Sequence, residues 1–528
     1  MWNPTVRESL YLVVLAALCF TLQLGSAPLF DGDEGRAAVS SWSMWATGDY
    51  LAPRAEGQVL MHQPPLFVWI QALSSALFGL DEPAFRLPSS LAASVWMLVL
   101  YAFCRTRMGV SSARAVAMFM AASLAVSIVG RSATPHALMN LWVTLALLDA
   151  YRWTERARPA LVYRVYLWMG LGVLTQGLAA VLIPLVASSA YLMAGRRFRE
   201  ARAFATHPTA WLLLLVLTAP WFVVMGLQHG SAFWHGFFVD QWGGLLPEGT
   251  SPTTSSPIEF LSTLPLVVVP FSVLAMVALW RAGQSWQNPL HRFSLMWLGT
   301  VLVVFSIPGA ELPHQLLLGS SPLFILMARF RETLRNRWLL LAPLVGFAAV
   351  AAVWPIVQRY RELDPLDPFR NQTIAYAIDT FSSPFYVVGA LLFLALSLAL
   401  CAARRLHSSE ALLAAGFLQA WFVGLCLLPT IADSRQLPVK EAGRLAAERQ
   451  LEVVTWATRS PSFSVYRGTL TPHRVPRAGE WVFTREGRLP LVGAEIAYRR
   501  GGYILMRPAD AVLPQPGTQS PADVSADP

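Results

Sequence analysis

The chain has 528 residues, of which 55% are apolar and only 13% charged, with a formal net charge of +9 and a mean hydropathy of +0.48. Soluble domains carry roughly 25% charged residues, so this composition excludes a soluble globular protein. The basic balance does not indicate nucleic acid, because the arginines fall in short loops between apolar runs and Lys440 is the one lysine in the chain.

Apolar runs of about 18–22 residues match the thickness of a bilayer core, and they predict about thirteen membrane helices. These lie near 9–27, 86–104, 115–130, 134–150, 162–175, 177–194, 209–228, 258–280, 291–309, 313–329, 338–357, 384–403 and 410–430. The first has no small-residue cleavage site behind it and reads as a retained span. Residues 66–80, short and Trp-containing, read as an interfacial helix. Cys19, Cys104, Cys401 and Cys426 lie in or beside apolar runs without metal spacing, and read as buried hydrophobes. Arginines cluster in alternate loops, at 105–114, 152–158, 196–202, 329–337 and 404–405. The positive-inside rule makes those loops cytoplasmic, together with the N-terminus. The acidic 31–65 loop, the 229–257 loop and the C-terminal tail then face the periplasm.

From about residue 431 the pattern changes to a helix, KEAGRLAAERQLE, and short alternating runs such as EWVFTRE and GYILMRP. These predict a small α/β domain outside the membrane. The expected organisation is mostly α: a membrane domain over 1–430 with an outer acidic loop at 31–85, a soluble domain over 431–507, and a disordered tail over 508–528.

The loop DGDEGRAAVSSWSMWATGDYLAPRAEGQVLMHQPP gathers Asp31, Asp33, Glu34, Arg36, Asp49, Arg54, Glu56 and His62. Charges this dense belong in water or a lined cavity. A carboxylate at Asp33 or Glu34 suits a general base that deprotonates a hydroxyl, and equally suits the first turn of a helix through Ala37–Trp45. His62-Gln63-Pro64-Pro65 is a stiff turn able to aim a side chain, or a plain helix start. Arg131, His136 and Asn140 lie near the outer end of one span, and Glu311 and His314 in a short outer loop. Each suits a cavity lining or an ordinary buried or solvated position. No carboxylate–His cluster calls for a metal.

Taken in order, these pieces resemble the GT-C class of membrane glycosyltransferases that use polyprenyl-phosphate sugars, which includes the aminoarabinose transferases of lipid A and the protein O-mannosyltransferases. The resemblance rests on Asp33-Glu34-Gly35-Arg36, Gly48-Asp49, Pro64-Pro65, Arg86-Leu87-Pro88-Ser89, Gly130-Arg131-Ser132, Leu174-Thr175-Gln176-Gly177, Ala219-Pro220-Trp221 and Ser462-Phe463-Ser464-Val465-Tyr466. It implies that Asp33 is the base, with Arg36 and Glu34 orienting the acceptor; no cofactor is expected, and no metal, since the sequence lacks a carboxylate–His cluster. The partners it implies are a polyprenyl-phosphate sugar and a lipid, glycan or protein acceptor, met at the periplasmic face of a bacterial inner membrane.

The chain departs from that pattern at several positions. The family has Lys where Gln63 and Gln176 stand, Asp where His136 stands, and Lys then Tyr where Glu311 and Gln315 stand. A cation beside the leaving phosphate stabilises the transition state, and losing one such donor costs about 10²–10³ in rate. Arg54, His62, Arg131 and His314 are the candidates to replace it. The chain is therefore expected either to transfer a sugar or to be a degenerate relative that binds lipid or pairs with an active membrane homologue. A transporter, the third class with this many spans, predicts repeated halves, and the sequence has no internal repeat.

Overall fold

The computed structural model describes residues 4–240, 267–306, 313–333, 344–346, 348, 367–403, 407–491 and 493–508. Helix α1 (Pro4–Ala16) runs through a wider turn to Thr21, and an irregular segment leads from there to α2 (Asp33–Thr47). A hairpin of β1 (Arg54–Ala55) and β2 (Gln58–Val59) precedes α3 (Leu66–Phe78) and α4 (Glu82–Met108). There follow α5 (Val110–Ala122), α6 (Leu124–Val129), α7 (His136–Glu155), α8 (Pro159–Gln176), α9 (Ala179–Ala194), α10 (Phe198–Ala205) and α11 (Pro208–His235). Next come α12 (Ser272–Gln284), α13 (Pro289–Ser306), α14 (Ser320–Phe330), α15 (Pro368–Phe381), α16 (Pro384–Ala402) and α17 (Ser408–Phe422). A π-turn at 423–427 joins α17 to α18 (Leu428–Glu448), and α19 (Pro461–Arg467) sits among the final strands.

The chain is mostly helical, and among the described residues four helical stretches are long and apolar enough to cross a bilayer: Glu82–Met108, Phe198–Phe238, Pro384–Ala402 and Ser408–Glu448. Shorter apolar helices include Leu66–Phe78, Val110–Ala122 and Ala179–Ala194. The span expected near 338–357 falls almost wholly outside the described residues. The one expected at 115–130 is split at Ser123, whose backbone is extended. The segment that follows α11 fills the break: Leu124 N donates to Val269 O at 3.0 Å and Ser123 Oγ donates to Val267 O at 3.0 Å. A broken helix in an apolar layer persists where its freed groups are paired in this way.

Pro88 inside α4 works similarly. It has no N–H for the carbonyl of Ala84, and the Ser74 hydroxyl of α3 donates to that oxygen at 2.6 Å. Gln71 Nε2 donates to Phe85 O at 2.9 Å. Helix α3 is thereby fastened to the first turn of α4, where Arg86 stands.

The composition change near 431 falls inside a continuous helical stretch, Ser408–Glu448. The last apolar helix therefore carries straight on into the polar C-terminal unit. That unit holds β3 (Val453–Thr455), β4 (Trp481–Arg485), β5 (Glu495–Arg500) and β6 (Tyr503–Arg507), in the order β3-β4-β6-β5. The first pair is parallel, with Val453 opposite Trp481, and the others are antiparallel. Phe463 of α19 stacks on Phe483 with ring centroids 4.5 Å apart, and Phe483 stacks on Tyr503 at 5.5 Å. Helix α19 is thus packed on the sheet on one side and, as shown below, on the segment leading into α2 on the other.

Candidate active site at the start of the second helix

Helix α2 begins with Gly32 at its N-cap position, at φ 92°, and no side chain caps it. A positive φ of this kind is readily reached only by glycine. Asp33 and Glu34 stand in the first turn of the helix, as expected, but neither supplies a side-chain cap.

Glu34 turns inward. Its carboxylate accepts from Arg86 Nε (3.0 Å) and Nη2 (2.9 Å), from Ala133 N (2.7 Å) and from Phe30 N (3.0 Å). Arg86 spends its remaining donors on the carbonyls of Leu24, Ala27 and Pro28, at 2.7–2.9 Å. All five N–H bonds of the guanidinium and about all the carboxylate's lone pairs are engaged, in a pair only 4–5% exposed. Glu34 has no lone pair left for an acceptor, and the geometry gives it a part in holding α2, α4, the 24–30 segment and the turn at 131–134 together. Arg86 was legible only as part of a motif. The usable signal was a charge within the apolar run that opens α4.

Asp33 points the other way. Its Oδ1 accepts from Arg36 Nη2 at 2.8 Å, and the side chains of this pair are 57% and 47% exposed. Asp33 borders a cavity of about 300 Å³ whose other walls include Leu24, Phe30, Ile128, Arg131, Gly424 and Leu428. Arg131 stands in the same lining. Its Nε donates to Cys19 O at 2.8 Å and its Nη2 to Ser127 Oγ at 3.0 Å, and it forms no ion pair among the described residues. A Cβ on Gly424 would lie 2.0 Å from Arg131 Nη1, so the guanidinium fits only because the π-turn carries glycine there.

Glu34 also lines this cavity, whereas Arg54, His62, Gln63, His136, Gln176 and Gln315 are not in its lining. His136 opens α7 and Gln176 closes α8, and Gln176 Nε2 donates to His136 Nδ1 at 3.0 Å. The two positions that depart together from the family pattern are therefore partners, a neutral pair within electrostatic reach of Asp33. Arg54 pairs with Asp49 at 3.3 Å. His62 is exposed and Gln63 half-buried on the turn before α3. Gln315 Oε1 is buried with no hydrogen-bond partner among the described residues. Glu311 lies outside the described residues, as does the side chain of His314. Among the described residues no group of three His, Cys, Asp or Glu is placed to hold a metal ion.

The C-terminal unit reaches into the loop just ahead of Asp33. Ser462 N donates to Asp31 Oδ1 at 2.9 Å. The Gln436 amide, oriented to satisfy both ends, donates to Asp31 Oδ2 at 3.0 Å and accepts from Asp31 N at 3.1 Å. Burial pushes the Asp31 carboxyl up to about 7, the hydrogen bonds from Ser462 opposing and the Glu56 charge adding to the rise. Tyr466 OH accepts from Leu29 N at 2.7 Å.

Residues 62–224 match the family described as dolichyl-phosphate-mannose-protein mannosyltransferase. Two similar chains are the undecaprenyl phosphate-alpha-4-amino-4-deoxy-L-arabinose arabinosyl transferases of Aeromonas hydrophila, 29% identical over 58% of this chain and 57% of that one, and Serratia proteamaculans, 25% identical over 61% and 59%. The match thus spans less than two thirds of these relatives. The fold is that of ArnT from Cupriavidus metallidurans, with a TM-score of 0.72 in the apo state at 17% identity over 97% of this chain and all of that one. Against the form bound to undecaprenyl phosphate the TM-score is 0.76, at 18% identity over 96% and 99%. Fold and motifs together support a resemblance to the GT-C class of polyprenyl-phosphate-sugar glycosyltransferases. Its architecture is ArnT-like, a mostly helical body ending in a small sheet-bearing unit.

Proposed function

We propose that this chain is a membrane glycosyltransferase that moves a sugar from a polyprenyl-phosphate donor to a lipid, glycan or protein acceptor at the periplasmic face of a bacterial inner membrane. The observation that carries the reading is one cavity lined by both Asp33 and Arg131. Asp33 Oδ2, which accepts no hydrogen bond among the described residues, takes the proton of an acceptor hydroxyl. The acceptor oxygen then attacks the anomeric carbon, and the bond from that carbon to the donor phosphate breaks with its electrons going to phosphate. Arg131, held by Cys19 O and Ser127 Oγ, offers its free N–H groups to the departing phosphate, where fixed donors in a dry site act most strongly. Arg36 holds the base in place, and Glu34 with Arg86 holds the helix that carries it.

The test is transfer from a purified polyprenyl-phosphate sugar by the full chain in lipid. Asp33→Asn is expected to abolish it, and Arg131→Met to slow it by about 10²–10³. Unchanged transfer by Asp33→Asn removes the mechanism. One observation favours a second reading, a degenerate relative that binds lipid or supports an active homologue: the neutral His136–Gln176 pair stands where the family pattern has charges. Lipid binding by the wild type without turnover, together with a co-purifying GT-C protein, would favour that reading.

A further inference from the structure

We propose that Lys440, Tyr466 and Glu82 are positioning residues that clamp the C-terminal unit onto the main chain leading into α2, and so fix where Asp33 stands. The proposal rests on the reading of Asp33 as the base. Lys440 of α18 pairs with Glu82 Oε1 and lies 5.4 Å from the centroid of the Tyr466 ring. Tyr466 OH donates to the same Glu82 oxygen at 3.1 Å while accepting from Leu29 N at 2.7 Å. The charged pair is well buried, at 15% and 7% exposure of the Lys440 and Glu82 side chains. Removal of one partner from such a network leaves the other uncompensated.

The chain of contacts ends close to the base. Leu29 is four residues and Asp31 two residues ahead of Asp33, and Asp31 is held independently by Ser462 N at 2.9 Å. Val465 of α19 packs with Leu29, Ala38, Val39, Phe85 and Ala133, so the same helix also adds an apolar wall to α2. A Cβ on Gly443 would lie 2.8 Å from Tyr466 Cβ and 3.1 Å from Phe463 O. Helices α18 and α19 are therefore in close backbone contact, and a shift of one is carried to the other. Every other one of the 40 basic residues is arginine. The lysine stands where a compact ammonium must meet a carboxylate and a ring, a setting in which a flat guanidinium is not equivalent.

The single lysine makes the clamp directly readable. In the full chain in nanodiscs, acetylation of Lys440 by an amine-reactive reagent, followed by mass spectrometry, is expected to be at least tenfold faster in Glu82→Gln than in wild type; equal rates overturn the clamp. Hydrogen exchange at amides 29–36 is expected to rise at least tenfold in Tyr466→Phe, and unchanged exchange overturns the positioning of α2. Small misplacements of a reacting group lose up to about 10² in rate, so Tyr466→Phe is expected to lower kcat about tenfold with KM for the donor lipid within twofold. Faster exchange with unchanged kcat overturns the link to Asp33. For the acetylation readout, which needs Lys440 in place, Tyr466→Phe serves if Glu82→Gln aggregates, and for the exchange and kinetic readouts Lys440→Met serves if Tyr466→Phe aggregates. A wild type that transfers no sugar refutes the proposed function alone, because exchange and acetylation still decide whether the clamp orders residues 29–36.

Discussion

Arg86→Met is the perturbation that most directly tests how the site is held. The substitution keeps most of the side chain's length and apolar volume but removes five donors at once. It leaves Glu34, 5% exposed, with only the amides of Phe30 and Ala133 as partners, and strands the carbonyls of Leu24, Ala27 and Pro28. Breaking a buried ion pair from one side costs about 3–5 kcal/mol. With an unfolding entropy of about 2 cal/mol/K per residue, that is a fall in Tm of about 3–5 °C for a chain of this length melting as one unit. Replacing both partners by apolar groups is often near neutral, so Glu34→Met with Arg86→Met is expected to recover more than half of the loss. The assay is thermal unfolding of the two single variants and the double variant in one detergent. A single variant that melts with wild type, or a double variant that melts as far below wild type as the two losses added, refutes the account of this pair.

Gly424→Ala puts a methyl group where Arg131 Nη1 lies, and is expected to reproduce the 10²–10³ loss of transfer of Arg131→Met with a Tm within a few degrees of wild type. Swapping the neutral pair for the charged one, His136→Asp with Gln176→Lys, is expected to melt within about 2 °C of wild type, while His136→Asp alone melts lower because its charge has no partner. The folded pKa of Asp31, about 7, lies above its ordinary value of 3.8. Its contribution is therefore full below about pH 4 and is lost as pH rises to about 7, by at most about tenfold in the folding equilibrium per pH unit. Asp31→Asn is expected to remove that part of the slope in a melting series over pH 4–8.

The architecture was largely legible because its signals are long-range averages: twenty-residue apolar runs read as helices whether or not they are later bent. The interruption at Ser123 was not legible, since nothing local separates a bent apolar run from a straight one. The segment that repairs the break arrives 144 residues further along, as Ser123 Oγ on Val267 O. Of the candidate site, the sequence supplied the names but not the orientations. Asp33 and Arg131 could be named from charge and spacing, and they border one cavity. The opposite orientations of Asp33 and Glu34 could not be read, because neighbours on a helix are about 100° apart and the facing side follows from packing. Asp31 escaped for the same reason. Its partners Gln436 and Ser462 belong to a unit that composition alone set apart from the membrane body.

The splice at Ser123 also bears on how the chain is made. Leu124 N finds its acceptor in Val269 O, and at about 5–20 residues per second that residue emerges roughly 7–30 seconds later. For that interval the exposed amide must be served by water or headgroups, so the two halves of this helix pass through the early stages of insertion as separate pieces. They become one continuous post only when the ribosome has delivered the missing rivet.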